Sequence, residues 1–194
     1  MNRGTIKNCS SSIGGGALVA GLRYLDLGRL ATSANPVRPE PNNSGVYLNG
    51  GTMTGNESSM GGAIFLNYVR PNVNINNMVI DSNNADEGGA IDVFHRWTHA
   101  QIENCTITNN HAEEGGGAIM LNTNIESNGT HIKDTSITGN TSGERCAGVG
   151  YDANSLLTIS GANIIQNNTY NGKLNNLNIL GKDYPVYVDG DLTG

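Results

Sequence analysis

Gly61-Gly62-Ala63-Ile64 recurs as Gly88-Gly89-Ala90-Ile91 and again as Gly116-Gly117-Ala118-Ile119. About eight residues before each copy stands an apolar residue that is followed, three positions later, by asparagine. Units of the same form complete a column that consists of Asn56, Asn83, Asn110, Asn140 and Asn167, spaced by 27, 27, 30 and 27 residues. Motifs in fixed order at a nearly constant period indicate a solenoid, in which each repeat stacks on the next.

A third column of apolar residues precedes these units and consists of Leu48, Ile75, Ile102, Ile132 and Ile159. Apolar residues alternate locally, as in Val73-x-Ile75, which is the periodicity of a strand. If each repeat forms one turn, strands of successive turns pair in parallel about 4.8 Å apart. The sequence therefore predicts an all-β, single-stranded parallel β-helix of about six to seven coils, each with about 27 residues and three short strands. Right-handedness is expected from the chirality of parallel crossovers.

The composition agrees with strands and corners rather than helices. Of 194 residues, 27 are Gly and 29 are Asn, and both are weak helix formers. Both also tolerate the left-handed backbone that tight corners need. We expect the five repeated asparagines to point inward and form an amide ladder, with a structural rather than a catalytic role.

Charge and length narrow the possible functions. The net charge is −6 with only 11 Lys and Arg, which argues against a nucleic-acid partner. No apolar run approaches the roughly 20 residues of a membrane span, and no signal segment opens the chain. Three cysteines without a pairing pattern suggest neither disulfides nor zinc. Either the protein is cytosolic or the chain is a piece of a longer secreted protein. We expect the second, with one β-helix domain over 1–194.

The alternating Gly-Gly-Ala-Ile and Ile-x-x-Asn units resemble the repeats of polymorphic outer-membrane proteins and related autotransporter-type surface proteins. The resemblance covers nearly the whole chain outside residues 21–43. Ile or Met stands here where that family usually has Phe in Phe-x-x-Asn. The resemblance implies an extracellular or cell-surface location and a role in adhesion, as passenger or stalk. It supplies no catalytic residues.

An insertion interrupts the repeat at residues 21–43. The step from Leu18 to Leu48 is 30 residues, whereas the equivalent step from Ile64 to Ile75 is 11. The extra residues are either a flap or terminal cap over the solenoid or a contribution to a ligand site.

The corner where the insertion leaves also has an unusual composition, with the candidate ligand-binding residues Tyr68, Arg70, His95, Arg96, Trp97 and His99. Counting from Ile64 and Ile91, Arg70 aligns with Trp97 one turn away, which would allow a cation–π pair. An exposed aromatic ring beside cations is typical of a platform for a sugar ring or a partner protein. The alternative is that Trp97 packs under the insertion.

Carboxylates also gather in one column, formed by Asp86, Glu114 and Glu144. Like charges about 5 Å apart repel each other, by roughly 1–3 kcal/mol near a protein surface. Solvent, Arg145 or a bound Ca²⁺ could offset this repulsion, since calcium favours clustered carboxylates. The sequence favours solvated loops, with calcium as the alternative, and indicates no other cofactor.

These patterns predict a non-catalytic cell-surface or secreted module, an adhesin or stalk that binds glycan or protein through its corner loops. The alternative is a polysaccharide lyase or glycoside hydrolase, because many parallel β-helices have such activities. A glycoside hydrolase needs two carboxyl groups that face one cleft. Asp92 points outward next to Ile91, and Glu103 follows Ile102 on the next strand of that turn, but nothing in the spacing marks either carboxyl as a proton donor.

Overall fold

Short strands stacked in parallel build the protein. The computed structural model describes residues 4–21, 45–67, 73–94, 98–122, 129–151, 155–179 and 185–190. These residues are all-β: they form no helix, and so none that could cross a bilayer. The inserted segment 21–43 lies outside the described residues apart from Gly21, so its role as flap or binding element stays a prediction.

The described residues form 23 strands, numbered in chain order. The first six are β1 (Thr5–Lys7), β2 (Ser10–Ser11), β3 (Leu18–Gly21), β4 (Val46–Thr54), β5 (Glu57–Met60) and β6 (Ile64–Asn67). The next seven are β7 (Val73–Asp81), β8 (Asn84–Glu87), β9 (Ile91–Phe94), β10 (Ala100–Glu103), β11 (Thr106–Thr108), β12 (His111–Gly115) and β13 (Ile119–Asn122). Then follow β14 (Thr130–Lys133), β15 (Ser136–Thr138), β16 (Thr141–Ser142), β17 (Val149–Tyr151) and β18 (Leu157–Ser160). The last are β19 (Ile164–Gln166), β20 (Thr169–Tyr170), β21 (Lys173–Leu174), β22 (Leu177–Ile179) and β23 (Tyr187–Asp189).

Three sheets form the three sides of the coil. Sheet A contains β1, β4, β7, β10, β11, β14, β15, β18, β19 and β23. Sheet B contains β2, β5, β8, β12, β16, β20 and β21, and sheet C contains β3, β6, β9, β13, β17 and β22. The side made by sheet A is bent, because one residue of each turn there has a left-handed backbone, namely Gly50, Asn77, Asn104, Asp134 and Gly161. The predicted parallel β-solenoid with three sides per turn is confirmed.

The pairing register confirms that equivalent residues stack. Ile102 pairs with Ile75 in the turn before it and with Ile132 in the turn after it, and Ile132 pairs with Ile159. Burying an isoleucine side chain contributes about 1.5–3 kcal/mol, so these columns supply much of the favourable free energy of folding. The interior is a continuous apolar core along the described turns.

The number of turns is a little lower than the predicted six to seven. Four turns are regular and complete within the described residues, namely 46–67, 73–94, 100–122 and 130–151, with about 28 residues per turn. A partial turn precedes them. The turn that follows them is irregular, because the chain folds back after Tyr170 into an antiparallel hairpin of β20 and β21. The handedness of the coil stays a prediction.

A ladder of buried asparagine amides runs through the corner between sheets A and B. Its members are Asn56, Asn83, Asn110, Asn140 and Asn168, and it ends on Asn176. Nδ2 of Asn83 donates to Oδ1 of Asn110 at 2.9 Å and to the carbonyl oxygen of Met53 at 3.1 Å. The backbone N–H of Asn83 donates to the same Oδ1, also at 2.9 Å. Each amide therefore joins three consecutive turns.

The prediction that Asn167 belongs to this ladder is wrong, because the ladder residue is Asn168. Ile137 pairs with Ile165 rather than with Ile164, so this repeat is 28 residues long and its motif begins one residue later. Asn167 instead takes the left-handed corner position just before the ladder, with φ of 55°. Gly55, Ser82, Asn109 and Gly139 hold the same corner position in the earlier turns.

The hairpin of β20 and β21 brings the ladder to its last partner. Asn176 is only eight residues from Asn168, yet its Oδ1 accepts from Nδ2 of Asn168 at 3.2 Å, as a residue one turn further on would. Strand β21 lies at the edge of sheet B, where it pairs antiparallel with β20. The hairpin thereby takes the place of a regular turn at this side of the coil and covers the edge of β20.

The ladder gives a direct test of what holds the turns together. Asn110→Ala removes four hydrogen bonds and leaves the buried carbonyl of Ile80 without its side-chain partner. We expect the free energy of unfolding to fall by about 3–5 kcal/mol, since a buried hydrogen bond contributes about 1 kcal/mol and an orphaned group costs about 1–3 kcal/mol. Urea unfolding measures this change.

Asn74→Ala is the matched control, because Asn74 lies half-buried on the outer side of sheet A. Its substitution should change the stability by no more than about 0.5 kcal/mol. Equal losses for the two variants would show that the ladder does not stabilise the fold.

Candidate functional site

Most of the predicted corner platform lies outside the described residues. This applies to Tyr68, Arg70, His95, Arg96 and Trp97, so their roles in ligand binding stay predictions. His99 is the one member of the set within the described ranges. The strands on either side of these loops are in register, since Asn67 pairs with Phe94 and Val73 with Ala100. Loops 68–72 and 95–99 therefore leave and rejoin the solenoid next to each other.

His99 links two turns. Its Nδ1 lies 2.6 Å from the carbonyl oxygen of Gly129 in the next turn. Because a carbonyl oxygen only accepts, Nδ1 must hold the proton in this contact. The neighbouring Thr98 is buried, and its hydroxyl donates to the carbonyl of Phe94 at 3.1 Å. The described end of this loop is thus anchored to the solenoid.

The acidic column does not form a metal centre in the described structure. The side chains of Asp86, Glu114 and Glu144 are exposed. A bulge between Ala112 and Gly115 shifts the register of β12 against β8 where these carboxylates lie. Among the described residues, no group of three or more His, Cys, Asp or Glu side chains is arranged to hold a metal ion. The geometry gives the calcium alternative no support.

Asp92 is the polar residue that the structure distinguishes most clearly. It points outward from sheet C, as expected, but it is fully buried. Its register neighbours in the same outer column are Phe65 and Met120, which are also buried. Neither carboxyl oxygen of Asp92 has a hydrogen-bond partner of normal geometry. A buried carboxyl without partners is costly to ionise.

Glu87, close to Asp92, is held by two donors. Nη2 of Arg145 donates to its Oε1 at 2.9 Å, and Nδ2 of Asn122 donates to its Oε2 at 3.1 Å. Gly115 lies between Glu87 and Arg145 in sheet B and makes this ion pair possible. A Cβ atom at Gly115 would lie 2.9 Å from Cγ of Arg145.

These surroundings determine the proton affinity of Asp92. Burial raises the pKa of Asp92 well above its usual value, and the negative charge of Glu87 raises it further. The amide of Asn122 lowers this pKa, but by less. The arrangement therefore places a carboxyl that favours its protonated form beside a carboxylate paired with arginine.

Sequence reasoning missed that Asp92 is buried, although the repeat contains a signal. The residue after each Gly-Gly-Ala-Ile unit is Phe65, Asp92 or Met120, so apolar side chains flank Asp92 in its outer column. Apolar neighbours on both sides indicate a face that is covered rather than open to solvent.

Cys105 belongs to a second, shorter side-chain ladder at the bend of sheet A. Its backbone N–H donates to Oγ1 of Thr135 at 3.3 Å, and the N–H of Thr135 donates to Oδ1 of Asn163 at 3.0 Å. Burial raises the pKa of the Cys105 thiol to about 11. Because the thiolate is the reactive form, this cysteine is structural.

The raised pKa of Asp92 predicts a pH-dependent stability. The folded state favours the protonated form of Asp92, and this preference adds to the free energy of unfolding. The contribution is complete at pH values below the pKa of Asp92 in the unfolded chain, and it is lost as the pH rises through the pKa of Asp92 in the folded state. Asp92→Asn removes the ionisation. We expect the variant to be more stable than the native chain at about pH 8 and equally stable at about pH 3, below the pKa of an unfolded aspartate.

Urea unfolding at the two pH values measures this difference, with Asp86→Asn as the control because Asp86 is an exposed carboxyl on sheet B. A stability difference for Asp92→Asn that is the same at both pH values would contradict the assignment.

Parallel β-solenoids serve binding, structural and catalytic roles, so the fold alone does not decide the function. No protein-family model matches this chain, and neither curated proteins nor solved structures give a match.

Proposed function

We propose that the chain is a rigid, non-catalytic β-solenoid module of a cell-surface or secreted protein, of the polymorphic outer-membrane or autotransporter-passenger type. It acts as an adhesin or stalk and presents its corner loops to a glycan or a protein of a neighbouring or host cell. The observation that supports this most is the asparagine ladder, which joins every regular turn to the next.

Rigidity follows from how the turns are connected. Sheet hydrogen bonds, the stacked isoleucines and the ladder all join residues of adjacent turns. Each turn extends the solenoid by about 4.8 Å, so a longer array of such repeats makes a stiff spacer. A stalk needs this property, whereas it needs no reactive group.

The position of the corner loops supports a binding role, because the loops of consecutive turns leave the solenoid at the same corner. Loops 68–72 and 95–99 start after paired residues, Asn67 and Phe94, in consecutive turns. Side chains on such loops can form a continuous surface without altering the core. The aromatic and cationic composition of these two loops suits a sugar ring, which stacks on an aromatic face and accepts hydrogen bonds from arginine.

Trp97→Ala tests this binding role on a glycan array and on cells. If the corner is the binding surface, we expect at least a tenfold loss of affinity, because the substitution removes a stacking surface worth about 1.4 kcal/mol or more. Tyr47→Ala is the matched control, since Tyr47 is an aromatic residue on sheet A that is 60% exposed. Equal binding by Trp97→Ala and the native chain would refute the corner platform.

A polysaccharide-degrading enzyme is the second candidate, and the pair of Asp92 and Glu87 favours it. Glycoside hydrolases use one protonated carboxyl and one carboxylate, which is the pairing expected here from the raised pKa of Asp92. Against it, Asp92 is fully buried, so a polymer has no access to it in this structure.

Incubation with a panel of polysaccharides tests whether the chain is such an enzyme. An enzyme should cleave at least one polymer, and Asp92→Asn should abolish that cleavage, whereas Asp86→Asn should not. If the native chain cleaves none, the catalytic alternative is excluded. If Asp92→Asn cleaves as fast as the native chain, the chain is an enzyme but Asp92 is not its acid.

A further inference from the structure

A cavity of about 740 Å³ opens on the outer side of sheet C near its first strands. Its described lining comes from sheet C, from the end of β5 and from the corner after β2. The apolar part of this lining consists of Ile13, Val19, Met60, Phe65 and Phe94. Its volume lies within the range of small-molecule sites, about 300–1,000 Å³.

The cavity exists because the side chains in the outer column of sheet C differ from one strand to the next. Val19, Phe65 and Asp92 are successive members of this column. Phe65 lies directly over Gly14, where a Cβ atom would come within 2.5 Å of Cδ1 of the ring. The missing side chain of Gly14 therefore leaves room for the Phe65 ring to form a wall of the cavity.

Two aromatic rings define the shape of this site. The centroids of Phe65 and Phe94 are 6.1 Å apart, and the ring planes are inclined by 44°. Tilted aromatic surfaces at this separation can contact a third planar ring by offset or edge-to-face packing, worth about 0.5–1.5 kcal/mol beyond the buried area.

The polar groups in the described part of the lining are few and uncharged. They are the amide of Asn67 and the hydroxyl groups of Ser10, Ser11 and Ser12, and none of the described lining residues is ionisable. A charged ligand would lose hydration without gaining a counter-ion from these residues, so the described lining favours a neutral ligand. The serines lie together on one segment and offer hydrogen bonds to one end of a bound molecule.

We propose that this cavity binds a neutral, mostly apolar small molecule that has a planar ring. The ring lies against Phe65 and Phe94, and the polar end of the molecule faces the serine segment. This proposal rests on described lining residues that do not belong to the predicted glycan platform, so it does not depend on whether the chain is an adhesin.

The neutral fluorescent dye N-phenyl-1-naphthylamine is a suitable probe, because it is aromatic and small enough for the cavity. We expect a saturable rise in fluorescence with one dye per chain. Val19→Trp should weaken dye binding at least tenfold by filling the cavity. Val19 is 46% exposed, so the larger side chain does not disturb the core.

Val79→Trp is the matched control, because Val79 is 40% exposed on sheet A, away from the cavity. Its dye affinity should stay within twofold of the native value. Ile13→Trp is a second blocking variant, since Ile13 is an exposed lining residue. Urea unfolding verifies that all three variants are folded.

Two results would overturn the proposal. One is the absence of saturable dye binding to the native chain. The other is unchanged dye affinity in folded Val19→Trp and Ile13→Trp. Neither result depends on glycan binding, so failure here is distinguishable from failure of the adhesin proposal.

Discussion

The hydrogen bond from one asparagine amide to the next, one turn away, is the constraint on which the rest of this protein depends. Asn83 and Asn110 can meet only if the chain returns to the same place after each turn. A buried amide without its partner would cost about 1–3 kcal/mol, so register errors are penalised at every turn. The stacked isoleucines favour the same register, since a shift by one residue would turn them away from the core.

That constraint applies to the inward residues and leaves the outward ones free. Inward positions of sheet C are uniformly apolar, as at Ile64, Ile91 and Ile119, whereas the outer column changes from Phe65 to Asp92 to Met120. Loop lengths also vary from turn to turn, because lengthening a loop whose two ends stay in register adds little to the entropic cost of closing it. The features that distinguish one turn from another therefore lie on the outside, and function is to be sought there.

The outer side of sheet C combines two such features. Near its first strands it forms an apolar cavity lined by two aromatic rings. On β9, the strand that supplies Phe94 to this cavity, it buries the carboxyl of Asp92 close to the Glu87–Arg145 ion pair. Both depend on glycines that make space, Gly14 for the ring of Phe65 and Gly115 for Arg145. Small residues at particular turns thus shape the surface of an otherwise repetitive scaffold.

The repeat period alone predicted the parallel coil, the stacked apolar columns and four members of the ladder, because all of these follow from a spacing that can be read along the chain. It misplaced the ladder at Asn167, since adjacent asparagines and adjacent isoleucines allow two alignments and only strand pairing chooses between them. The burial of Asp92 and the Glu87–Arg145 pair were decided by the tertiary structure. Glu87 and Arg145 lie 58 residues apart, a separation that no repeated motif marks, so no periodicity in the chain reveals their contact. The burial of Asp92 is signalled in the sequence only by its apolar neighbours in the outer column, Phe65 and Met120.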